Sequence, residues 1–99
     1  FLYSTDAARG IVMATQLYNE SNPINLGTNH EVKIRDLVEL ICQLMDFEGE
    51  LVWETDQPNG QPRRCLDTKK AKEKFGFVAE VDFKQGLKNT IEWYRQNAD

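Results

Sequence analysis

Between Ile34 and Asp46 the apolar residues fall at Leu37, Val38, Leu40, Ile41, Cys42, Leu44 and Met45. At 3.6 residues per turn these positions cover a broad face of one helix. A helix with so wide an apolar face must be covered by its neighbours. The pattern therefore predicts a well-buried helix over about 34–46. The run is too short, and too charged at its flanks, to span a bilayer. Its N-cap falls on Lys33, which has no capping oxygen, while Asp36 suits the positive end of the helix dipole.

The remaining elements are read around that helix. Phe1-Leu2-Tyr3 is short and apolar, like the end of a strand. Ser4, Thr5 and Asp6 offer capping oxygens for a helix over about 6–20, with Ala7, Ala8, Ile11, Val12 and Tyr18 at helical spacing. Gly10 inside it costs about 1 kcal/mol relative to Ala unless something packs closely there. Asn19 to Pro23 closes that helix. Ile24-Asn25-Leu26-Gly27-Thr28 alternates like a half-buried strand, and Gly49 to Glu54 reads as another. Asp67 or Thr68 caps a brief helix ending at Phe75. Gly76 follows as its C′ residue, with Phe77 placed for the accompanying apolar contact. Asp82, with Gln85 three residues on, starts a last helix over about 83–96. The order predicts an α/β fold, a small sheet of short strands covered by about four helices, in one domain over 1–99.

Composition excludes several functions. The chain has 99 residues and a net charge of −4, with no basic stripe, which argues against nucleic acid as a partner. No signal peptide and no membrane segment are visible. The first residue, Phe1, stands on what reads as a strand in progress, so the chain reads as part of a longer protein. Cys42 and Cys65 form no CxxC and read as buried free thiols of a reducing cytoplasm. His30 reads as a solvated loop residue without a ligand-spaced companion, so no metal site is expected. Asp46, Glu48 and Glu50 read as a solvated rim. There is no GxGxxG after a strand, no GxxxxGK[ST] and no Tyr-x-x-x-Lys, so neither catalytic nor cofactor-binding residues are expected in the chain.

Arg63 and Arg64 stand out. They follow the turn Gln57-Pro58-Asn59-Gly60 in an otherwise acidic chain. One reading is surface salt bridging to Asp56 or Glu54. The other is anion binding, because two planar forks of donors suit a phosphate or diphosphate. In an extended segment adjacent side chains diverge, so one can face a site while the other holds a partner.

In context these residues carry a resemblance. Pro58 through Ala71, then Phe75-Gly76-Phe77, Gly86-Leu87 and Thr90-Ile91-Glu92-Trp93-Tyr94, resemble the C-terminal part of the extended short-chain dehydrogenases. These are the NAD(P)-dependent nucleotide-sugar epimerases, dehydratases and reductases. The form Pro-Asn-Gly-Gln-Pro-Arg-Arg is most similar to the branch acting on a GDP-linked keto-deoxysugar. Phe1-Leu2-Tyr3 with Asp6-Ala7-Ala8, and Ile24 to Thr28 followed by Val32 to Leu37, resemble its earlier segments. Ser4, Thr5 and Lys33 depart from the family's usual Val, acid and hydroxyl residues.

The resemblance implies a C-terminal substrate domain that closes over a GDP- or UDP-linked sugar. Arg63 or Arg64 would contact its diphosphate, and Asn25, Lys33 and Ile34 would shape the nucleotide side of the cleft. It implies NAD or NADP in the parent and no cofactor in this piece. It further implies an N-terminal Rossmann domain of the same polypeptide as a partner, a homodimeric parent and a cytoplasmic location. The piece alone is not expected to catalyse. The alternative is an orphan copy acting as a non-enzymatic binding or interaction module.

Overall fold

The computed structural model describes residues 1–56 and 65–98. Four helices organise them: α1 (Ser4–Leu17), α2 (Ile34–Leu44), α3 (Lys69–Phe75) and α4 (Phe83–Asn97). No described residue lies in a strand, so the expected α/β fold with its small sheet is overturned. The reason is pairing. An extended segment becomes a strand only when a second one supplies ladder hydrogen bonds. Segments 1–3, 24–28 and 49–54 lie along no such partner. Ile24 and Leu26 instead pack against the cluster of Ala71, Phe75 and Phe77. Leu51, Val52 and Trp53 stay exposed, with the Arg35 guanidinium 5.5 Å from the Trp53 ring.

All four expected helices form, within a few residues of their expected bounds. Their ends follow local chemistry. In α4 the Asp82 carboxylate accepts the Gln85 N–H at 3.2 Å, the forward half of a capping box. The Gln85 side chain does not return the bond but donates to Asn89 instead. Gly76 takes the left-handed conformation (φ 73°) and donates to Lys72 O at 2.9 Å, which ends α3 as its sequence predicts. At the end of α2, Phe47 N–H donates to Cys42 O and Asp46 N–H to Gln43 O. This is a Schellman motif, with Asp46 (φ 53°) in the position that glycine usually fills.

Two packing expectations change. First, α1 turns a different face inward. Its buried residues are Asp6 and Gly10, with Met13 and Ala14 on the core cluster, whereas Ile11, Val12 and Leu17 are 54–63% exposed. Gly10 explains the rotation. A Cβ there would lie 3.0 Å from both Leu26 Cδ1 and Phe77 Cε1, so the missing side chain admits both neighbours. Second, α2 has no buried residue. Its wide apolar face is only partly covered, α4 being the helix it meets.

Asp6 fastens α1 to the entry of α4. It does not cap its own helix, since Tyr3 occupies the N-cap without a side-chain bond. Its carboxylate, 3% exposed, accepts Glu80 N–H at 3.1 Å and Val81 N–H at 3.0 Å. Arg9 lies 3.5 Å from Asp6 Oδ1 and donates to Val78 O, while its guanidinium covers the Phe77 ring at 4.8 Å. Burial alone would raise the Asp6 pKa. The hydrogen bonds from Val81 and Glu80, with Arg9, outweigh it and hold the carboxyl below its usual value of 3.8.

Candidate functional site

A polar pocket of about 410 Å³ opens where loop 27–31 meets the segment entering α3. Asn29, Glu31, Cys65, Leu66 and Asp67 line it. Gly27 allows this meeting. It is buried, and a Cβ on it would press within 3.3 Å of the Leu66 side chain. Hydrogen bonds then fix the register. Thr68 Oγ1 donates to Asn29 Oδ1 at 2.6 Å, and His30 N–H donates to Thr28 Oγ1 at 3.2 Å. Asp67 Oδ1 accepts Lys69 N–H at 3.0 Å, an Asx turn that leads into α3. Lys70 Nζ donates to Pro23 O and Lys74 pairs with Glu20 at 3.0 Å, holding α3 along the chain segment before the loop.

The pocket combines an amide, two carboxylates, a thiol and an apolar leucine. Such a set binds polar groups and presents more acceptors than donors. Its Cys65 wall follows directly on Arg64 in the sequence. Arg63 and Arg64 themselves lie outside the described residues. Asn25 is exposed on the stretch that leads into loop 27–31. Lys33 is the exposed N-cap of α2 and Ile34, 59% exposed, is its first residue. These three do not line the polar pocket. Asn29, Glu31, Cys65, Leu66 and Asp67 escaped sequence reasoning as a site. Only Asp67 carried a signal, as a helix start.

A second cavity, of about 300 Å³, lies between the start of α1, α2 and α4. Leu2, Tyr3, Leu37, Ile41, Phe83 and Leu87 give it an apolar lining. His30 stacks on Phe83 at its wall, with ring centroids 5.3 Å apart and planes at 26°. The expected plain solvation of His30 thus gives way to an aromatic contact. Cys65 also departs from expectation: it is exposed, while Cys42 is half-buried. Both thiols are free. Asp46, Glu48 and Glu50 are exposed, as expected of a rim. Among the described residues no group of acidic, histidine and cysteine side chains could hold a metal ion, and no helix is long and apolar enough to cross a membrane.

The described residues do not fit a nicotinamide cofactor. α1 follows Tyr3 directly, without the glycine-rich turn that lets a helix N-terminus meet a pyrophosphate, and the other helix starts lack one too.

Comparison with known proteins supplies the wider frame. The chain is 35% identical over 97 residues to GDP-L-fucose synthase 1 of Arabidopsis thaliana, covering 98% of this chain and 30% of that protein. It is 30% identical over 97 residues to GDP-L-fucose synthase of Sinorhizobium fredii, at 98% and 31% coverage. A Methanocaldococcus jannaschii protein named "Putative UDP-glucose 4-epimerase" is 33% identical over 97 residues, again at 98% and 31%. The chain thus spans about 30% of the length of these curated relatives. No family model matches it. No solved structure matches it.

Proposed function

We propose, from its resemblance to the C-terminal part of GDP-L-fucose synthases, that this chain is the nucleotide-sugar-binding part of an NAD(P)-dependent epimerase, dehydratase or reductase. The parent polypeptide supplies the Rossmann domain and, through NAD or NADP, transfers a hydride at a sugar carbon. The chain itself contributes binding and orientation. It contains no dinucleotide loop and no Tyr-x-x-x-Lys with which to do more.

The observation that carries this reading is similarity running from end to end of the chain, against relatives of which it spans under a third. The geometry supports it. Loop 27–31 and the segment after the arginine pair come together around a polar pocket. Arg63 or Arg64 would hold the diphosphate, with Asn25, Lys33 and Ile34 on the nucleotide side of the cleft. Two guanidiniums neutralise a diphosphate better than lysines would, because each offers a bidentate fork. Sites of this kind form between domains, so the isolated chain would bind weakly. The GDP-linked sugars come first as substrate because GDP-L-fucose synthases predominate among the relatives named above. The parent is expected to act as a cytoplasmic homodimer.

The test is steady-state kinetics on the full polypeptide carrying this chain. Arg63→Ala or Arg64→Ala raises KM for the nucleotide sugar by roughly tenfold or more, the worth of a charge-assisted hydrogen bond. If both variants leave kcat and KM unchanged, the arginine assignment is wrong.

A further inference from the structure

We propose that His30 is a positioning residue for the polar pocket: its ring, stacked on Phe83 at the start of α4, sets the direction in which Asn29 and Glu31 face the ligand. The proposal rests on the nucleotide-sugar reading above and adds to it a residue that acts without touching the ligand.

The loop divides its side chains between two cavities. Asn29 and Glu31 line the polar pocket, whereas His30, between them, lines the apolar cavity. Neighbouring side chains of an extended chain leave it on opposite sides. Holding the His30 ring toward α4 therefore turns both of its neighbours toward the entry of α3. The hold is the stack on Phe83, with ring centroids 5.3 Å apart and planes at 26°. Aromatic pairs of this kind contribute beyond the area they bury, because ring faces and edges carry opposite partial charge.

The platform under the ring is firm. Phe83 is the first residue of α4 and follows Asp82, whose carboxylate accepts the Gln85 N–H at 3.2 Å. The residues before it are fastened by the buried Asp6, which accepts the Glu80 and Val81 N–H groups. One turn further along, Gly86 is buried, and a Cβ on it would lie 3.0 Å from Tyr3 Cδ1, so α4 sits close against the segment that leads into α1. On the other side of the loop, His30 N–H donates to Thr28 Oγ1, and Asn29 Oδ1 accepts the Thr68 hydroxyl at 2.6 Å. The loop thus spans one anchor on α4 and another at the entry of α3, and the polar pocket lies at the second.

The test is steady-state kinetics of the full polypeptide with a GDP-linked keto-deoxysugar. His30→Ala should raise KM roughly three- to tenfold and leave kcat within about twofold, as expected when binding geometry alone is lost. His30 is exposed, so this variant keeps the fold. His30→Phe keeps a ring on Phe83 and should restore the wild-type KM, with the pH profile of kcat unchanged between about pH 5 and 8. An imidazole that moved a proton would allow neither result. An unchanged KM in His30→Ala, a fall in kcat without a rise in KM, or a His30→Phe variant as impaired as His30→Ala overturns the positioning role and leaves the nucleotide-sugar reading standing. A full polypeptide that turns over no nucleotide sugar overturns both.

Discussion

A single carboxylate ties together residues that lie far apart in sequence. Asp6 accepts two backbone N–H groups 74 and 75 positions further along the chain, from a site 3% exposed. Asp6→Ala leaves those two donors without an acceptor and removes one of the partners of Arg9, which keeps Val78 O, at a cost of about 2–3 kcal/mol in denaturant unfolding. The pH dependence has a definite sign. The folded pKa lies below the ordinary 3.8, so this contribution is complete above about pH 5. It begins to fade as pH falls through 3.8 and is lost as pH passes the lower, folded value. Asp6→Asn should flatten that part of the stability profile. The sequence shows Asp6 as a helix-start residue but not its true partners, because nothing local records which backbone will arrive from 74 positions away. Gly10 is a parallel case. Its tolerance in a helix could be read as a sign of close packing, whereas the identities of Leu26 and Phe77 could not. Gly10→Ala adds overpacking of about 1–3 kcal/mol and regains about 1 kcal/mol of helix propensity, for a net loss near 1 kcal/mol in the same assay.

Helices were more legible than their surroundings. Caps and periodicity are local, so α1 to α4 and the left-handed stop at Gly76 follow from neighbouring residues. Strands were misread for the converse reason. Alternation along Ile24 to Thr28 says that one side is apolar, not that a ladder partner exists, and here that side packs on helices. The polar pocket was legible only through Asp67, as a helix start, because Asn29 meets Thr68 across 39 positions. One element carries a correctable strain. Asp46 holds φ 53° at the end of α2, where an L-residue costs about 1–2 kcal/mol relative to glycine. Asp46→Gly should therefore stabilise the chain by about 1 kcal/mol, read as a rise in the denaturant midpoint at unchanged slope. A lower midpoint would mean that the Asp46 side chain does more than occupy the turn.

The whole molecule is more open than its mass requires. Its accessible surface is 8243 Å², against about 5,800 Å² for a compact monomer of 11.5 kDa. Its radius of gyration is 16.7 Å, against about 13 Å. The excess is apolar in part: α2 buries no residue, and Ile11, Val12, Leu17, Trp93 and Tyr94 face outward. The broad apolar face over 34–46 truthfully signals a surface to be covered, and within this chain it is only half covered. The isolated chain should self-associate as its concentration rises, seen as a growing sedimentation coefficient. Val12→Glu with Trp93→Glu should reduce this while changing stability by no more than about 0.5 kcal/mol per site. A chain that stays monomeric throughout would argue that this surface needs no cover. The central claim, that the chain is the binding part of a nucleotide-sugar enzyme, meets its most direct test in a hydride-transfer assay. Oxidation of NADH or NADPH would be followed with a GDP-linked keto-deoxysugar, for the full polypeptide and for the 99-residue chain side by side. The account predicts turnover by the full polypeptide and none by the chain alone. A full polypeptide inert toward nucleotide sugars, or a chain active by itself, would contradict it.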